Sequence, residues 1–207
     1  MNVRAVVFDY GKVICFPPPE ENRKALSALT GIPGERLAAL DQQYRSEYDR
    51  GAYDGKEYYR FLLSRAEIYP EDSALEKIAE TDSEGWKHLD PGTTALMRDV
   101  KKLGLALGIL SNMPSDFLAW GREHIPVFGE ADAAVFSCEA GSVKPERRIY
   151  EALRDRLGCG FGEIVFFDDI PANLETAAGL GIRSFLWRGS EGAREELRRI
   201  GGILAGL

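Results

Sequence analysis

The chain divides by the spacing of its apolar positions. From residue 91 onward, short apolar runs alternate with stretches whose apolar residues recur every three or four places. Pro91-Gly92 opens a helical pattern over 93–103 that stops at Gly104, and residues 105–110 form a continuous apolar strand. Ser111-Asn112-Met113-Pro114 reads as a cap and turn before another helix, and a short strand is predicted over 134–136. Lys144-Pro145 starts a helix that runs to Leu157 and ends at Gly158. Residues 164–167 are the next buried strand, ending in Asp168-Asp169. A helix with Pro171 near its first turn then runs through Ala178, residues 182–187 are the last strand, and a polar helix covers 191–200. At the start of the chain, residues 3–8 form one more β-branched strand that closes on Asp9. Strand, crossover helix, strand, repeated, predicts an α/β protein with a doubly wound parallel sheet.

Residues 16 to about 90 break this rhythm. Phe16-Pro17-Pro18-Pro19 is a stiff exit from the first strand, and helical patterns follow over 20–29, 34–50, 55–66 and 71–79 with no strand-like run among them. The expected organisation is a core of 1–15 and 90–207 interrupted by an all-helical insert, 16–89. Such an insert sits over the strand ends, where insertions act as lids that exclude water and choose substrates.

Composition narrows the classes. A hydrophobic share of 44% in 207 residues is enough to bury a sizeable core. The net charge of −7 argues against nucleic acid or an anionic membrane as a main partner. No apolar run approaches the roughly 20 residues that span a bilayer, and the first strand leaves no room for a leader, so a cytoplasmic location is expected, as a monomer or homodimer. Cys15, Cys138 and Cys159 are odd in number and widely spaced, and read as reduced thiols, with Cys15 a buried apolar filler. His88 and His124 lack partners at metal-ligand spacing and read as surface residues.

Four polar sites fall after strands: Asp9, Ser111-Asn112, Lys144 (after the 134–136 strand and a loop) and Asp168-Asp169. Each alone has an ordinary reading as a turn, a helix cap or a solvated charge. Gathered at one edge of a parallel sheet, where open α/β folds bind ligands, they share a chemistry. A carboxylate can attack phosphorus and form an aspartyl-phosphate, provided a divalent cation screens its repulsion from the phosphate. Asp9 and Asp169 supply carboxylates for Mg²⁺, with the Gly11 carbonyl as a third oxygen. Ser111, Asn112 and Lys144 offer donors to phosphoryl oxygens. Asp168 holds a metal-bound water or orients Lys144.

These motifs resemble those of the haloacid dehalogenase-like hydrolases. The match is carried by Phe8-Asp9-Tyr10-Gly11-Lys12-Val13, Leu110-Ser111-Asn112, Lys144-Pro145-Glu146 with Ile149-Tyr150, and Phe167-Asp168-Asp169 through Asn173. The insert matches that group's small helical cap in place and size, and Tyr48-Asp49-Arg50-Gly51 is typical of such caps. The resemblance implies a Rossmann-like core in which Asp9 and Asp169 share one metal, and a phosphatase acting on a small phosphorylated metabolite. One departure stands out. Most phosphatases of this group carry a second Asp, the general acid, where this chain has Gly11. The subgroup with a similar D-x-G-x-V motif resembles sugar-phosphate phosphatases, whose leaving groups need less protonation. It usually has Asn or Gly at the place of Lys12, which here contacts phosphate or sugar or is a solvated loop lysine. Two other readings stand beside the phosphatase: a binding or regulatory protein weakened by the loss of the acid, and a 2-haloacid dehalogenase using Asp9 on carbon. The acidic pair Asp168-Asp169 argues against the dehalogenase.

Overall fold

The first strand, β1 (Ala5–Phe8), is fully buried on both faces, as its unbroken apolar run requires. The computed structural model describes residues 3–200. In it β1 is the middle of a five-stranded sheet with β2 (Ala106–Ser111), β3 (Ala133–Phe136), β4 (Ile164–Asp168) and β5 (Arg183–Leu186). The spatial order is β3-β2-β1-β4-β5, and every pairing is parallel. The α/β class and the doubly wound sheet expected from the sequence are therefore present.

The helices in chain order are α1 (Glu20–Thr30), α2 (Gly34–Asp49), α3 (Gly55–Ser64), α4 (Asp72–Gly85), α5 (Pro91–Lys102) and α6 (Ser115–His124). They are followed by α7 (Pro126–Glu130), α8 (Ser137–Ala140), α9 (Arg147–Leu157), α10 (Pro171–Gly179) and α11 (Gly189–Arg199). Alternate residues of β1 feed two cores. Val6 and Phe8 join Leu96, Val100 and Leu197 on one face, while Ala5 and Val7 join Ile149, Leu153 and Ala177 on the other. Helices α1–α4 have a core of their own, in which Leu37, Tyr58, Leu62, Leu75 and Ile78 are buried together.

Between β1 and α1 the chain makes a wide turn, Tyr10–Ile14, closed by the Cys15 N–H on the Tyr10 carbonyl at 3.0 Å. The left-handed residue in it is Lys12, with φ +60°, whereas Gly11 keeps an ordinary φ of −65°. Cys15 is buried and His88 and His124 are exposed. The helix expected to begin at Lys144-Pro145 begins at Arg147 instead. The side chain of Asn112 holds both the N–H and the carbonyl of Lys144, at 2.7 and 3.0 Å, which keeps that residue out of the helix. The Lys144–Pro145 peptide is cis. Among the described residues, no helix is long and apolar enough to cross a membrane.

Candidate active site

The sheet brings its strand ends together at one edge. Phe8 lies level with Phe167 of β4, so Asp9, the next residue, comes beside Asp168. The Asp9 N–H bonds the Phe167 carbonyl at 3.0 Å, which continues the ladder by one residue and fixes where its side chain leaves the sheet. The run of strands reverses direction here, since β2 and β3 lie on one side of β1 and β4 and β5 on the other. That reversal opens the crevice in which doubly wound sheets bind ligands.

Lys144 links the two acids. Its ammonium is buried, 2.7 Å from Asp9 Oδ1 and 2.6 Å from Asp168 Oδ2. Burial alone would lower the Lys144 ammonium, but Asp9 and Asp168 together hold it above the ordinary lysine range. Burial pushes the Asp9 carboxyl upward against the pull of Lys144, and the neighbouring Asp168 and Asp169 add to the rise. Four donor contacts converge on Asp168. Beside Lys144, the Ile170 N–H reaches Oδ1 at 2.8 Å and the Asn173 amide reaches both oxygens at 3.0 Å. These contacts tie Asp168 to Lys144, to the Ile170 N–H and to the side chain of Asn173.

Asp169 is less enclosed, and Lys12 approaches it at 3.4 Å. Ligand atoms of Asp9, Asp168 and Asp169 lie within 4.8 Å of one another. An all-oxygen carboxylate set suits a hard cation such as Mg²⁺ better than zinc or copper. Because Asp168 is taken up by its donors, Asp9 and Asp169 are the carboxylates best placed to hold the ion.

The second motif, Ser111-Asn112, stands at the end of β2. Ser111 is buried at the end of β2 with its hydroxyl on the Asn112 carbonyl at 3.2 Å. The Asn112 side chain bonds both the N–H and the carbonyl of Lys144, which ties the end of β2 to that lysine. Asn112 lines the cavity over Asp9, together with Gly11, Lys12, Lys144 and Asp169.

That cavity has a volume of about 230 Å³ and is lined on its other side by residues of α2 and α4. They contribute Arg45, the acids Asp41, Asp49 and Asp82, and Trp86, which follows α4. Burial raises the carboxyls of Asp49 and Asp82 against the opposing pull of Arg45. None of these residues stood out in the sequence as site residues. Apart from Asp49 in the cap motif Tyr48-Asp49-Arg50-Gly51, their signal is a four-residue spacing of Asp41, Arg45 and Asp49 along α2, which equally describes a solvated helix face. Asn173 was visible only as part of the fourth motif, without its bond to Asp168.

A family model described as haloacid dehalogenase-like hydrolase matches residues 3–181. The chain is 25% identical to Phosphatase MT3486 of Mycobacterium tuberculosis (strain CDC 1551 / Oshkosh), over all of this chain and 99% of that protein. It is 24% identical to the sesquiterpene phosphatase astK of Aspergillus oryzae, over 96% of this chain and 97% of the relative. A solved HAD family enzyme from Bacteroides thetaiotaomicron, in complex with magnesium and inorganic phosphate, superposes with a TM-score of 0.67 at 19% identity, covering 89% of this chain and 94% of that one.

Proposed function

Because the chain belongs to the haloacid dehalogenase-like hydrolase family, we propose that it is a Mg²⁺-dependent phosphatase that releases phosphate from a small phosphorylated metabolite, a sugar phosphate being the leading candidate. The observation that carries this reading is Asp9 itself. It is a buried carboxylate at the mouth of the central strand, held 2.7 Å from a buried ammonium, with Asp169 beside it to complete an oxygen site. Full-length similarity to two proteins named as phosphatases supports it.

In this reading an oxygen of Asp9 attacks phosphorus, the bond to the leaving oxygen breaks, and the phosphoryl group rests on Asp9 until water displaces it. Lys144 neutralises charge on the phosphoryl oxygens, and Asp168 and Asn112 hold it where it is needed. Asp9 and Asp169 would hold Mg²⁺, which when bound screens the repulsion between the carboxylate and the phosphate dianion. The cavity of about 230 Å³ lies below the roughly 300–1,000 Å³ of drug-sized ligand pockets, which suits a small leaving group. No carboxylate stands at Gly11 to protonate that group, so substrates with acidic leaving oxygens are turned over best. Helices α1–α4 act as the cap, the insert of 16–89 over a core of 1–15 and 90–207.

The test is phosphate release with and without Mg²⁺ on a panel that includes p-nitrophenyl phosphate and sugar 1-phosphates. Metal-dependent release that Asp9→Asn abolishes is expected. Turnover retained by Asp9→Asn would remove Asp9 as nucleophile, and no release from any ester would favour the binding-protein reading. Dehalogenation uses no metal, so a carboxylate-bearing haloacid would meet the clustered acids Asp9, Asp168 and Asp169 without a cation to screen them, which disfavours the dehalogenase reading.

A further inference from the structure

The α2 and α4 side of the cavity holds one guanidinium among three carboxylates. Arg45 Nε donates to Asp49 Oδ1 at 3.0 Å, and its Nη1 reaches Asp82 Oδ2 at 3.3 Å and Asp41 Oδ1 at 3.4 Å. All four residues line the same cavity as Asp9 and Lys144. They are built to stay in place. Tyr58 donates its hydroxyl to Asp41 at 2.5 Å, Trp86 Nε1 reaches Asp82 Oδ1 at 3.4 Å, and Arg45 lies over the ring of Tyr48 with 4.9 Å to its centroid. The Asp49 carbonyl is fastened to the core by the hydroxyl of Ser137.

As a purely structural network this arrangement is a poor one. Ion pairs taken out of water repay their desolvation badly, and here three acids share one base. Its position gives it a use. Asp9 and Lys144 fix where phosphorus must sit, so the rest of the substrate fills the space beside Arg45 and its acids. A second phosphate or a carboxylate there meets like charges in a partly desolvated wall. A hydroxyl meets carboxylate acceptors and a guanidinium donor side by side, and it can use both.

We propose that Arg45, together with Asp41, Asp49 and Asp82, determines specificity by accepting a phosphate monoester whose leaving group carries hydroxyls and no second negative charge. The proposal rests on the phosphatase reading above and names the substrate class of the same site.

Binding tests it separately from turnover. Asp9→Asn protein in Mg²⁺ is titrated calorimetrically with a hexose 1-phosphate and with the corresponding hexose 1,6-bisphosphate. The monophosphate is expected to bind about 30-fold more tightly or better, since placing like charges side by side strongly disfavours the wrong partner. In the same background Asp49→Asn, which preserves shape, is expected to shrink that ratio about five- to tenfold. Asp41→Asn, at the most exposed of the three acids, gives the same reading should Asp49→Asn melt early. A ratio within threefold, no binding of either sugar, or a ratio that both Asn variants leave unchanged overturns the proposal. Phosphate release by the wild type decides the phosphatase reading independently of these ratios.

Discussion

Gly11 is a glycine that its backbone does not require. Its φ of −65° is open to any residue, and a Cβ there would meet only Trp86 Cζ3, at 3.5 Å, which is ordinary contact. The position can therefore take the missing acid without steric or backbone strain. Gly11→Asp is expected to raise kcat about 10- to 100-fold on alkyl phosphates, while p-nitrophenyl phosphate, whose leaving group needs no proton, changes less than about threefold. A series of esters graded by leaving-group pKa checks this, and an equal change across the series would count against proton supply as the deficit. Asp9 and the acidic pair were legible in the sequence because each stands at a strand end, and strand ends converge whatever the loops do. Lys144 was legible through the Lys144-Pro145-Glu146 motif, although α8 separates it from β3. The role of Asn112 was not legible, because its bonds reach Lys144, 32 residues away. Arg45 was hidden for a related reason. Asp41, Arg45 and Asp49 look like a solvated stripe until Asp82 of α4 packs against them.

At the scale of elements, α2 is tied to the core at its C-terminal end. Arg50 pairs with Glu146, just before α9, through Nη2 to Oε1 at 2.7 Å and Nη1 to Oε2 at 3.1 Å, and it also donates to the Gly141 carbonyl. Next to it Gly51, at φ +87°, lies against Cys138, where a Cβ would come within 3.2 Å of that residue's carbonyl oxygen. Arg50 and the Ser142 hydroxyl hold the Glu146 carboxyl down at about 2, below its ordinary 4.5. A depressed carboxyl stabilises the fold above the unfolded value and loses that contribution as pH falls through the folded one. The gap in melting temperature between wild type and Glu146→Gln should thus stay constant from pH 7 to about 5, then close between about 4.5 and 2. Because Glu146 is 44% exposed, solvent screening limits the gap to about 1–3 °C. A gap that is unchanged at pH 2.5 would show that the pair contributes nothing. The boundaries that sequence patterns misplaced lie at such tertiary ties. Helix α4 runs on to Gly85 past the polar Thr81-Asp82-Ser83, because Arg45 and Trp86 give Asp82 partners there. Helix α9 starts late because Asn112 holds Lys144.

Across the whole molecule, the sheet gathers more negative charge at one edge than its own cations offset. Asp9, Asp168 and Asp169 meet there with Lys144 and Lys12, in a chain whose net charge is already −7. Unfolding disperses these acids, so a divalent cation that needs two of them at once binds the native state alone and stabilises it by mass action. At ten times its dissociation constant, Mg²⁺ should add about 1.4 kcal/mol. For a domain near 200 residues that is a rise in melting temperature of about 3–6 °C. NaCl at matched ionic strength should reproduce little of it, since screening acts weakly on buried charges. Asp169→Asn should remove most of the Mg²⁺ increment while leaving the metal-free melting temperature nearly unchanged, because the half-exposed Lys12 is the ion-pair partner it gives up. Thermal melts of both proteins with and without Mg²⁺ measure this without any substrate. An increment that Asp169→Asn keeps in full would place the cation away from the strand ends and leave the acids at this edge as a charge frame for Lys144.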